Sequence, residues 1–196
     1  MRIITLSLCM ILVAPALADT YKDLEIADEH NTPAYKRSLY KDGSVSWIDA
    51  DGDGENTREE VLAEEKVGDV WVCPFTGRIF TNASDLDIDH IVPLKEAHLS
   101  GGHAWTKAER VAYANDLENP DHLMAVYDRA NQSKGSRDPA SWMPPNRAYW
   151  CAYLEDWIAI KLEYDLTVDQ DEVDAMKIGF ANCEKYSKRD AINGLH

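Results

Sequence analysis

The chain predicts an α+β fold built as one domain, on three observations. Short alternating segments bounded by Pro and Gly occupy its first two-thirds. Two longer segments with apolar residues at helical spacing close it. Residues 19–196 are long enough to bury a single core, and six Trp with nine Tyr in the full chain argue against disorder.

The first eighteen residues stand apart. Arg2 precedes an apolar run from Ile3 to Val13, and "APALA" ends in small residues at Ala18. That is the layout of a signal peptide, and the run is too short to span a bilayer. Asp19 follows rather than cysteine, so no lipid anchor is expected. The expectation is a secreted or periplasmic protein of residues 19–196 with no membrane segment. Cleavage removes Cys9 and leaves Cys73, Cys151 and Cys183. An oxidising compartment favours one bridge, and Cys151 with Cys183 is the preferred pair because each sits in a helix-like segment. Three buried thiols is the alternative.

The elements follow in order. "SVSWI" (44–48) reads as a strand, and "TREEVLAEEK" as a helix whose acidic first turn suits the dipole. "VWVC" and "RIFT", joined by "PFTG", read as a hairpin. "LDIDHIV" alternates up to Pro93. "TKAERVAYANDL" carries a capping-box pattern at Thr106 and Glu109. "HLMAV" (122–126) reads as a buried strand, and "DRANQSKG" as a helix stopped by Gly135. "AYWCAYLEDWIAIKLEY" places Trp150, Leu154, Trp157, Ile158, Lys161 and Leu162 near one face, and "DQDEVDAMKIGFANC" is a final amphipathic helix.

Charge restricts partners. The net charge is −15, and an acidic body opposes long-range approach to a polyanion. The imbalance is uneven. Residues 95–147 hold seven acidic and seven basic side chains, whereas 19–94 hold eighteen against seven. Arg129, Arg137 and Arg147 in or beside the neutral stretch could line a phosphate path or simply neutralise nearby acids.

"DLDIDHIVPL" (85–94) concentrates chemistry. Adjacent Asp89 and His90 would face opposite sides of a regular strand, so they share a site only where the strand ends and the backbone turns. A carboxylate is a hard ligand for a divalent cation, and a neutral imidazole can take a proton from water. Together they supply what phosphodiester hydrolysis requires. A further oxygen ligand is available at Asn131 in "NQSK", after the strand HLMAV. Alone, an Asp-His pair is more often a surface turn or a strand end. His98 and His103, which flank "LSGG", read as loop histidines rather than ligands.

Strand with Asp-His, loop, strand, then helix with Asn and Lys is the order of the HNH, or ββα-metal, nuclease motif, over core residues 85–142. "DIDHIVP" and "NQSK" resemble the HNH domain of the RNA-guided CRISPR nucleases. "DADGDG" with "TREEVL", "DIDHIVPLKEA", "AYANDL", "NQSKGSRDPASWMPP" and "YWCAYLEDW" are similar to secreted bacterial HNH endonucleases. The resemblance implies His90 as general base, Asp89 and Asn131 as ligands of Mg²⁺ or Mn²⁺, and Lys134 near the phosphate. Asp87 would orient the loop or hold metal-bound water. It also implies cleavage to 5′-phosphate and 3′-hydroxyl ends, with DNA favoured over RNA and little sequence preference. One position departs: nine residues before Asn131, where the motif has a bracing Asn, this chain has His122. His122 would hydrogen-bond the loop or assist the metal.

A second motif lies upstream. "DADGDGENTREE" has EF-hand spacing, with Asp49, Asp51 and Asp53 as early ligands, Gly54 at the turn, Glu55 through its carbonyl and Glu60 as the late bidentate ligand. The alternative is an acidic turn whose Asp side chains cap the next helix and bind Arg58. The similar sequences carry Cys at the Glu55 position, which implies a lost partner and a reduced Cys73. The expected function is an exported, metal-dependent endonuclease with a nucleic-acid substrate and no obligate protein partner. The rival is a non-catalytic, calcium-binding exported protein with a relic HNH core.

Overall fold

The computed structural model describes residues 21–29 and 32–193, with side chains as far as residue 182. The expected leader at 1–18 lies outside the described residues. The elements are α1 (Thr57–Glu64), β1 (Trp71–Cys73), β2 (Arg78–Phe80), β3 (Leu86–His90), α2 (Leu94–Leu99), α3 (Lys107–Ala114), β4 (Leu123–Tyr127), α4 (Asp128–Lys134), α5 (Trp150–Glu163) and α6 (Gln170–Asn193). The class is α+β, as expected. No helix among the described residues is long and apolar enough to cross a membrane.

Two antiparallel pairs form the β-structure. β1 and β2 are the expected hairpin, with Trp71 opposite Phe80 and a turn through Gly77 at φ +67°. β3 pairs with β4 from Leu86 opposite Tyr127 to His90 opposite Leu123, and α4 begins at the next residue. A two-stranded ribbon is marginal alone, so both pairs depend on the core behind them. That core includes Phe75, Leu86, Ile91, Val126, Tyr153 and Trp157, all buried.

Residues 44–48 do not form the expected strand. Val45 makes only a bridge to Asp42 across a turn, with Gly43 at φ +59°. The Ile48 backbone is used elsewhere: its N–H donates to Asn115 Oδ1 at 3.0 Å, and its carbonyl accepts from the Thr57 N–H at 2.9 Å. No strand partner is left a donor or acceptor there. α2 was not expected, because six residues after Pro93 are too few to show a period. α1 is capped by Asn56 with Glu59, and α3 by Thr106 with Glu109, both as capping boxes. α4 stops at Gly135, φ +60°.

α5 buries Leu154, Trp157, Ile158 and Lys161 as expected, but Leu162 is 39% exposed and Tyr153 and Ile160 are buried instead. α6 packs closely on it. A Cβ added at Gly179 would lie 2.5 Å from Leu154 Cδ1, so any larger residue there would have to displace the Leu154 side chain. Cys73 is free and buried, its sulfur accepting the Tyr127 N–H at 3.2 Å. Cys151 is disulfide-bonded. The side chain of Cys183, its expected partner, lies outside the described residues.

Candidate active site

Along β3, Asp87 and Asp89 project to one face, and Ile88 and His90 to the other. α4 lies over the first face. Asn131 Nδ2 donates to Asp87 Oδ2 at 3.2 Å, and the Lys134 ammonium donates to Asp89 Oδ2. Because a carboxylate only accepts, these contacts fix how both acids are used. Asp87 sets the orientation of the Asn131 amide and leaves its Oδ1 free. Lys134 holds one oxygen of Asp89 and leaves the other.

β3 ends at His90, so the backbone turns where the two-face argument requires it to. Asp89, His90 and Asn131 consequently line one cleft of about 360 Å³. Asp87 does not line it. Neither does Lys134, which is fully buried and also donates to the His90 carbonyl at 2.7 Å. Its ammonium is engaged by Asp89 and the strand end rather than exposed to the cleft. It would act on a substrate only by holding Asp89.

The imidazole of His90 is set from several sides. Its ring stacks on Trp47 with centroids 5.5 Å apart and 13° between planes, and meets His122 edge-on at 5.8 Å. Nε2 lies 3.0 Å from the Ala114 carbonyl oxygen. A carbonyl cannot donate, so Nε2 carries the proton and Nδ1 keeps the lone pair. Burial first, then the His122 ring, pushes the pKa of His90 well below 6.5, against the pull of the Ala114 carbonyl. The ring is thus neutral at neutral pH. Asp89 is shifted up by burial, opposed by Lys134, and Lys134 is shifted down by burial, opposed by Asp89.

His122 is buried and does not line the cleft. Its Nε2 donates to the Tyr113 carbonyl at 2.7 Å, one residue before the carbonyl that holds His90. His90 at the end of β3 and His122 in the turn just before β4 therefore grip consecutive carbonyls at the end of α3. His122 Nδ1 is buried without a hydrogen-bond partner among the described residues, and burial lowers its pKa.

Other residues fall as follows. His98 lies on α2 rather than in a loop. Its Nε2 donates to the Pro33 carbonyl at 3.1 Å and its Nδ1 accepts from the Tyr40 hydroxyl at 3.3 Å. His103 faces the His98 carbonyl at 3.1 Å. None of Arg129, Arg137 and Arg147 lines the cleft. Arg137 donates to the Lys134 carbonyl at 3.1 Å, and Arg147 lies over the Trp150 ring at 5.5 Å. Sequence reasoning missed Tyr35, Arg37 and Lys95, which do line it, and Trp47, which stacks on His90. The opening segment has no periodicity that would signal this, and only distance in three dimensions brings it to residue 90.

In the acidic loop, one oxygen each from Asp49, Asp51 and Asp53 lies within 4.8 Å of the others. Glu60 Oε2 is buried and without a hydrogen-bond partner among the described residues. Its pKa is raised by burial, then by Asp51, Asp53, Asp49 and Glu55. The alternative of Asp side chains binding Arg58 is not what is found. Arg58 donates to the carbonyls of Ala83 and Leu86, and the cap is Asn56.

Comparison with known proteins agrees with a nuclease-type domain. Residues 30–177 match the family described as GmrSD restriction endonucleases, C-terminal domain. The chain belongs to that family. It is also 41% identical over 154 residues to a protein of Arthroderma benhamiae named "Uncharacterized secreted protein", covering 73% of this chain and 74% of that one. No solved structure matches.

Proposed function

We propose that the chain is an exported, divalent-metal-dependent endonuclease of the HNH type, hydrolysing phosphodiester bonds in nucleic acid, DNA in preference to RNA. The observation that carries this reading is that Asp89, His90 and Asn131, from a strand end and a helix 41 residues on, line one cleft. Membership of a restriction-endonuclease family supports it, and the leader at 1–18 supports export.

In this reading His90 Nδ1 takes a proton from the attacking water while Nε2–H stays on the Ala114 carbonyl, which also steadies the imidazolium that forms. Trp47 limits rotation of the ring by stacking. Lys134 keeps Asp89 anionic and turned towards the cleft, and Asp87 turns the Asn131 amide oxygen the same way. His122 takes the bracing role through the Tyr113 carbonyl. The free oxygens of Asp89 and Asn131 fit a hard cation better than Zn²⁺, which favours nitrogen and sulfur. When bound there, Mg²⁺ or Mn²⁺ would supply stabilisation of charge on the phosphoryl and leaving oxygens. The same rationale makes the 49–60 loop a structural Ca²⁺ site, the reading favoured by the unpartnered Glu60 oxygen.

Plasmid digestion tests the reading. Cleavage is expected with Mg²⁺, none with EDTA, and a loss of about 10²–10⁴-fold in His90→Ala. An intact plasmid across neutral and mildly alkaline pH would favour the non-catalytic calcium-binding alternative. Cleavage surviving His90→Ala would mean a different base.

A further inference from the structure

The cleft has a wall that β3, β4 and α4 do not supply. Arg37, at the start of the 3-10 turn Arg37–Tyr40, and Lys95, at the start of α2, both line it and are exposed. Neither makes a side-chain hydrogen bond or ion pair among the described residues. That is notable in a chain of net charge −15, where residues 19–94 as a whole hold eighteen acids against seven bases. Arg137 and Arg147, by contrast, are engaged by the protein itself.

The turn that carries Arg37 is held from several directions. Tyr40 is buried, and its hydroxyl meets His98 on α2 at 3.3 Å. His98 also holds the Pro33 carbonyl, and Lys107 on α3 donates to the Ser38 carbonyl at 3.3 Å. Arg37 therefore projects from a fixed backbone rather than a loose one. A cation with no internal partner, on a fixed mount beside a candidate phosphate-cleaving site, suits an external anion. Arginine presents a fork that matches two phosphate oxygens, while lysine acts as a point charge.

We propose that Arg37 and Lys95 form a phosphate clamp that seats the nucleic-acid backbone in the cleft over Asp89, His90 and Asn131. The clamp rests on the nuclease reading above and adds to it a positioning role for Arg37, in the segment before the core motif, and for Lys95, between its two strands. It reads backbone and not base, in line with sequence-indifferent cleavage. It also supplies local attraction where the body as a whole repels.

The test measures binding as well as cleavage. Full-length mature protein carrying His90→Ala is titrated against a labelled DNA duplex in Mg²⁺ over a series of salt concentrations. Removing one phosphate contact should shallow the slope of log K against log salt by about 0.9, so Arg37→Ala and Lys95→Ala each lose about one such step and the pair about two. Arg37→Lys should recover part of the loss. In the otherwise native chain both alanine variants should raise KM more than they lower kcat. Lys177→Ala, the same charge change on the exposed face of α6, should leave the slope alone. Melting temperatures should stay together, because neither clamp residue has an internal partner. Unchanged slopes in Arg37→Ala and Lys95→Ala, with the parent cleaving and His90→Ala inert, overturn the clamp and leave the nuclease reading standing. A parent that neither binds nor cleaves overturns both.

Discussion

Two buried lysines in this molecule use the same chemistry in different surroundings. Lys134 meets a single carboxylate, Asp89, and one backbone carbonyl. Lys161 meets Glu96 at 2.6 Å, Glu172 at 3.3 Å and the Thr167 carbonyl at 2.8 Å, and lies 5.5 Å from the Trp157 ring centroid. Glu172 is itself occupied by the Trp157 indole N–H at 3.0 Å and the Asp169 N–H at 3.0 Å. The second group is closed at Glu172, whose two oxygens are both spent on neighbours within the core, while Glu29 at its edge keeps one buried oxygen without a hydrogen-bond partner among the described residues. The first is open, because Asp89 keeps an oxygen on a residue that lines the cleft. What a buried ion pair leaves over, rather than the pair itself, separates a candidate site from a structural joint.

Replacing each lysine with methionine sharpens that contrast most. Either change removes one partner of a buried pair, a loss of about 3–5 kcal/mol in stability. Lys134→Met should add a loss of about 10–100-fold in cleavage by the folded protein, because an unpaired, buried Asp89 takes up a proton and stops acting as an anionic ligand. Lys161→Met should cleave normally wherever circular dichroism shows it folded. If the two variants lose specific activity equally, the distinction between open and closed groups is wrong.

A smaller effect concerns the acidic loop. If the 49–60 loop holds Ca²⁺, thermal melts should rise on adding the ion, by about 2.7 kcal/mol of stabilisation at a hundredfold excess over Kd. Glu60→Gln should remove most of that rise and leave cleavage in Mg²⁺ intact. A melt indifferent to Ca²⁺ would make this loop an acidic turn and nothing more.

How far these features were legible varies with how local their causes are. The hairpin, α1, α3 and β3 were readable because caps, turns and alternation lie within a few residues. The cleft trio of Asp89, His90 and Asn131 was readable because one strand–turn–strand–helix unit carries all three. The burial of Lys134 was not legible because exposure is a tertiary property: a lysine at a helix end normally reaches solvent, and this one is folded under the strand. The strand expected at 44–48 failed because Asn115 and Thr57, distant in sequence, take the backbone groups of Ile48. Arg37 and Lys95 carried no local signal at all.

The smallest expected effect probes the closed group by pH. Burial, then the charge of Glu96, raises Glu29 to about 8, and burial raises Glu172 to about 7 against the pull of Lys161. Both therefore keep a proton in the native state at a pH where the unfolded chain, with carboxyls near 4.5, has released it. Stability must then fall as pH rises from about 4.5 towards 8, because the native state is the one binding more protons. Glu65 and Asp156, each raised to about 7 by burial, act in the same direction. Lys161 is itself shifted upward and stays cationic throughout, so it adds no slope in this window. Melts at pH 5 and pH 8.5 should differ by a few degrees, lower at the higher pH, and Glu172→Gln should remove part of that difference. A melting temperature that climbs across the same range would mean that all three glutamates ionise around Lys161 without penalty. The closed group would then resemble the open one in its electrostatics.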